Sequence, residues 1–133
     1  MEKAFERPYR PLNFSKSWIE SFPLHGMAEQ LMGEDAFAES GRNALSLVRG
    51  DEMTVVLTVM KAGAVLHEHQ APGPATVVLL SGRIRISAGA GELPLESGSS
   101  VSFTANLRHA VRALEDSAFL IVIGGRQTRR ATI

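Results

Sequence analysis

From Ala44 to Gly125 the chain is a succession of short apolar or alternating runs, each closed by a turn signal. ALSLVR (44–49) turns at Gly50-Asp51 into MTVVLTVMK (53–61), followed by AVLHEH (64–69), ATVVLLS (75–81) and RIRISA (83–88). ELPLE (92–96), SVSFT (100–104), HAVRAL (109–114) and AFLIVIG (118–124) complete the series. The breaks fall at Gly63, Pro72-Gly73-Pro74, Ser81-Gly82, Gly89–Gly91, Ser97-Gly98 and Glu115-Asp116-Ser117. No helical period runs between them. Strands this short and evenly punctuated predict an all-β sandwich or barrel.

The patterning of individual strands says what each must face. RIRIS places Ile84 and Ile86 on one face and Arg83 and Arg85 on the other, as in a half-buried strand. TVVLL (76–80) and FLIVI (119–123) are apolar on both faces, so both need cover. The barrel core covers the inner face. The outer face calls for a second subunit, which makes a homodimer the expectation, or for residues 1–43 of the same chain. Those residues are irregular, broken by Pro8, Pro11 and Pro23. A short helix is expected around Met27–Phe37, with Met27, Ala28 and Leu31 on one face, weakened at Gly33 and closed by Gly41. The expected organisation is an N-terminal segment (1–43), a barrel (44–125) and a basic tail (126–133) carrying Arg126, Arg129 and Arg130.

Composition removes several classes of function. The 133 residues suit one domain, and 14 basic against 14 acidic side chains leave no surplus for nucleic acid or an anionic membrane. With no cysteine there is no disulfide, thiolate ligand or thiol nucleophile. No apolar run approaches the roughly 20 residues of a membrane helix, and MEKAFERPYRPLNF lacks a signal-peptide core. A cytoplasmic protein is expected. Ser81-Gly82 sits outside any Gly-x-Ser-x-Gly elbow, and Gly89-Ala90-Gly91 lacks the lysine of a phosphate loop, so both are turns.

What remains is histidine. His67 and His69 stand two apart in a strand, about 6.6 Å along the chain and on one face under regular alternation. Glu68 between them points the other way. His109 opens a later strand, and closing 64–69 and 109–114 into one barrel would bring it to the other two. Three imidazoles with open positions recur in catalytic zinc sites and some iron sites. A pair of surface histidines on an edge strand is the plainer alternative. His25, beside Pro23 and Gly26, reads as a loop residue.

Residues 61–123 resemble a cupin, the double-stranded β-helix or jelly-roll superfamily. In the first cupin motif a glycine precedes His-x-His by five residues, a glutamate follows after three or four, and a glycine closes it six residues later. His67, His69 and Gly82 match; Lys61 stands at the opening glycine, with Gly63 displaced by two, and QAPGP (70–74) is one residue longer than usual. In the second motif Gly98 and His109 match at full spacing. Thr104 replaces the proline, Asn106 the second glycine and Ala113 the asparagine. Asn106 is a sensible substitute, since asparagine tolerates a left-handed turn. The resemblance implies metal ligands at His67, His69 and His109, and the glutamate ligand falls on Ala75, which has nothing to donate.

Without that carboxylate a divalent ion would keep its full charge and an open position, favouring an anionic or chelating ligand. Some cupin dioxygenases that act on thiols or diketones are similar in using three histidines. Gln70 and Thr76 lie on the wrong strand face to replace Glu. Zn, Ni, Fe and Mn, and copper as well, accept imidazole. The pocket is expected to be lined by Val65, Ala75, Val77, Leu79 and Val111, with Ile84 or Ile86 and Phe103 or Phe119, which suits a small organic ligand. The expected function is a metal-binding cupin with dioxygenase-like chemistry; the alternative is a non-catalytic small-molecule-binding or sensing cupin, with or without metal.

Overall fold

The computed structural model describes residues 12–13, 19–89 and 91–125. In chain order the elements are β1 (Leu12–Asn13), α1 (Leu24–Gly33), α2 (Asp35–Ser40), β2 (Arg42–Arg49), β3 (Met53–Met60), β4 (Val65–His69) and β5 (Ala75–Ser81). Then come β6 (Arg83–Ala88), β7 (Gly91–Glu96), β8 (Ser100–Phe103), β9 (His109–Ala113) and β10 (Ser117–Gly124). They form two sheets, β1-β2-β3-β10-β5-β8 and β4-β9-β6-β7. Every pairing is antiparallel except β1 on β2. The fold is the expected all-β double-stranded barrel with a partly helical N-terminal region. The proposed tail 126–133 and most of residues 1–18 lie outside the described residues.

The core between the sheets follows from strict alternation. On β10, Phe119, Ile121 and Ile123 point inward, meeting Val77 and Leu79 of β5 and Ile84 and Ile86 of β6. On the other face of β6, Arg83 reaches Glu96 at 3.2 Å and Arg85 reaches Glu92 at 3.7 Å across to β7. The outer face of the larger sheet is covered in part by the chain itself. Met27, Ala28, Leu31 and Phe37 of the two helices pack on Leu47, Leu57, Val59 and Ala118. The two-sided apolar character of these strands therefore has an intrachain cause at this end of the sheet. Leu80 and Leu120 are only partly buried against that cluster.

The helices end where the sequence breaks them. Gly33 is the last residue of α1, and a single extended residue, Glu34, separates it from α2. Gly41 stops α2 in the left-handed conformation (φ 80°), its N–H donating to the Phe37 carbonyl. At Gly82 (φ 90°) an added Cβ would collide with Ser117 and the Asp116 carbonyl. Ser117 is fully buried there; its Oγ accepts from the Arg83 N–H at 3.1 Å and lies 2.8 Å from the Glu115 carbonyl. The closing glycine of the histidine motif is thus the point where the start of β6 meets the start of β10.

Candidate metal centre

β4 and β9 carry the histidines and pair antiparallel. Val65 stands opposite Arg112 and Leu66 opposite Val111, and then, across a β-bulge, His69 stands opposite His109. One extra residue sits in β4 between those pairs. Leu66 and His69 therefore both occupy register positions facing inward-pointing residues of β9, although three residues apart. His67 lies within the bulge and is exposed. The simple period of two that aligned His67 with His69 does not run through this segment. The His69 side chain lies outside the described residues.

His109 is the best-defined member. It is buried, its ring stacks on Phe103 with centroids 4.4 Å apart and planes 15° from parallel, and its Nδ1 lies 3.1 Å from the Leu107 carbonyl. A carbonyl oxygen only accepts, so this contact places the proton of a neutral imidazole on Nδ1 and the lone pair on Nε2. A backbone acceptor behind the ring is the arrangement that commonly orients a metal-ligating histidine.

The ring faces a small interior cavity of ≈ 10 Å³. That is space for about one water. The lining includes Leu66, Ala71, Ala75, Val77, Phe103 and Val111, with His109 the one ionisable side chain among the described lining residues. Ala75, Val77 and Val111 line this cavity. Leu79 is fully buried in the core but does not line the cavity. Val65 is a correction: it pairs with exposed Arg112, and Leu66 takes its place, because the bulge shifts the phase of β4 by one residue. Phe103 and Phe119 both line the cavity, while Ile84 and Ile86 pack in the surrounding core.

At the carboxylate position of the motif, Ala75 is buried and pairs with Ile123 and Phe103. Gln70 is exposed, and the Thr76 hydroxyl bonds Ser102 Oγ at 2.8 Å. Neither residue lines the cavity. Among the described residues no three His, Asp or Glu side chains gather into a group able to hold a metal. Sequence reasoning missed Leu66, Ala71, Ile121 and Ile123 as lining. The first is concealed by the bulge. The second comes from the loop after β4, which Asn106 holds down by donating its N–H to the Ala71 carbonyl at 2.8 Å. Asn106 does so with φ 65°, in the left-handed turn expected of it.

The sequence model of the Cupin_2 family, described as a cupin domain, matches residues 55–124, just over half of the chain. Among curated proteins none matches. Many solved structures share the fold. A conserved protein of unknown function from Streptococcus pyogenes superposes with a TM-score of 0.67 at 18% identity, covering 92% of this chain and all (100%) of that one. A cupin 2 conserved barrel domain protein from Leptotrichia buccalis is 25% identical over 65% of this chain and 42% of its own, with a TM-score of 0.62. KdgF from a Halomonas species is 17% identical over 87% of this chain and 94% of its own, at 0.59. The family match spans β3 to β10, the strands that build the barrel around His109, and on that ground the chain belongs to the cupin family.

Proposed function

We propose that this cupin binds one divalent metal ion through His67, His69 and His109, with the position beside Ala75 left to an incoming ligand. The observation that carries the reading is the β4–β9 register, which sets His69 directly opposite a buried His109 whose Nδ1 is engaged by a carbonyl. The donor set suits Zn, Ni, Fe or Mn. Such an ion, held by neutral imidazoles, would act as a Lewis acid or as an oxygen activator. The chain's own part is to orient the ligands, exclude bulk water with Phe103, Val77 and Val111, and leave one side apolar. Among the described residues His109 is the one ionisable side chain lining the cavity. Dioxygenase-like chemistry on a small chelating substrate fits that environment better than acid–base isomerisation. We place the protein in the cytoplasm and expect a homodimer.

A second reading, a non-catalytic binding or sensing cupin, has its own support. The cavity is narrow and almost wholly apolar, and Ala75 supplies no acid. Metal analysis of protein purified without an affinity tag, after supplementation with Zn, Ni, Fe and Mn in turn, tests the shared premise. Near-stoichiometric metal in the wild type, lost in the His67→Ala, His109→Ala double variant, is expected. No uptake of any of the four would end the metal-binding reading. Oxygen consumption by the iron-loaded protein with thiols, diketones and phenols then separates enzyme from binder.

A further inference from the structure

A second pocket, of ≈ 370 Å³, is built by β2 and β3 and reached on one side by Leu66 of β4, the edge strand of the smaller sheet. Leu66 also lines the cavity at His109. Val56 and Thr58 share the face of β3 that carries Met60 into the core between the sheets, so they point to the barrel side. Opposite Met60, Thr58 and Val56 stand Arg42, Ala44 and Ser46 of β2, all three lining the pocket.

Thr58 is the residue that calls for a reason. It is only 7% exposed, yet among the described residues its hydroxyl makes no hydrogen bond. A buried hydroxyl in that state costs stability that an isosteric valine would not. Arg42 is exposed, and its guanidinium is in no ion pair with the described residues. No acidic side chain is among the described lining residues. Asn43 lines the pocket as well, but its amide donates to the Leu31 carbonyl at 3.0 Å and to Glu34 Oε1 at 2.8 Å.

We propose that this pocket binds a small organic carboxylate, its anionic end paired with Arg42 and accepting from the Ser46 and Thr58 hydroxyls. A planar carboxylate matches the fork of a guanidinium, and a single cation balances a single negative charge. Ala44, Val56 and Leu66 keep the rest of the wall apolar, which suits the hydrocarbon body of an organic acid better than a hydrated phosphate. The volume lies within the range of small-molecule pockets. The site needs no metal and stands or falls apart from the three-histidine reading.

The test follows the Val56 and Leu66 methyl resonances of full-length, metal-free protein titrated with isovalerate, benzoate, neutral isovaleramide and inorganic phosphate. Both carboxylates should give saturable shifts, with the amide and phosphate at least about tenfold weaker. Arg42→Gln should weaken both carboxylates about tenfold or more. Thr58→Val should weaken them about tenfold while leaving the melting temperature of the free protein unchanged or higher. Thr58→Ser, which keeps the hydroxyl, should hold carboxylate affinity within about threefold of the wild type. No saturable shift with either carboxylate overturns the site, and so does affinity unmoved by Arg42→Gln. Phosphate or the amide binding as tightly as the carboxylates overturns the ligand class. Thr58→Val with wild-type affinity, or melting well below the wild type, overturns the part given to that hydroxyl. Resonances that move with protein concentration and not with carboxylate would mean that a second copy of the chain fills the pocket, which also overturns the site.

Discussion

At Ala75 a single side chain decides the electrostatics of the candidate centre. It is buried on β5 between Ile123 and Phe103, lining the cavity that His109 faces. Ala75→Glu would restore the acid of the cupin motif at the cost of burying a carboxylate among apolar groups. Without metal the variant should lose more than about 3 kcal/mol of stability; with Zn²⁺ it should recover much of that and bind the ion more tightly than the wild type. Denaturant unfolding with and without Zn²⁺ checks both halves. Equal destabilisation in the two conditions would place the ion elsewhere. Asn106 offers a second residue-scale test. Its φ of 65° suits asparagine or glycine and penalises a β-branched side chain. Asn106→Gly should be nearly neutral, whereas Asn106→Val should cost about 1–2 kcal/mol by the same measurement.

At the scale of elements, β4 is the informative strand. Its sequence, VLHEH, predicts a strand with two histidines on one face, and the strand forms at Val65–His69. What could not be read is the bulge, because an extra residue depends on how β9 aligns and leaves no mark in local composition. It moves Leu66 to the cavity and sets His69 opposite His109. Gly82, by contrast, was legible. A positive φ and contact with Ser117 and Asp116 give the expected glycine a mechanical reason. Gly82→Ala should destabilise by about 2 kcal/mol or more in denaturant unfolding, since both strain and collision oppose it. The helices make a parallel prediction. Leu31 is almost fully buried on the outer face of the larger sheet, so Leu31→Ala should cost about 2–5 kcal/mol. A loss below 0.5 kcal/mol, about the scale of a surface substitution, would mean that α1 does not cover that face in solution.

For the whole molecule, the spacing of turns made the barrel legible. The strands from β2 to β10 lie within about two residues of their expected limits, because glycine and proline set those limits locally. The cover over the outer face was open in the sequence, since two-sided hydrophobicity says that something packs there and not what. The helices answer part of it, and sedimentation of the purified protein should show the dimer expected to cover more. X-ray absorption of Zn²⁺-loaded protein counts imidazoles in the ion's first shell directly. Three histidine nitrogens at about 2.0–2.1 Å are expected, with at least one exogenous light ligand, falling to two in His109→Ala. A shell with fewer than three histidines, or one unchanged by His109→Ala, would contradict the three-histidine centre.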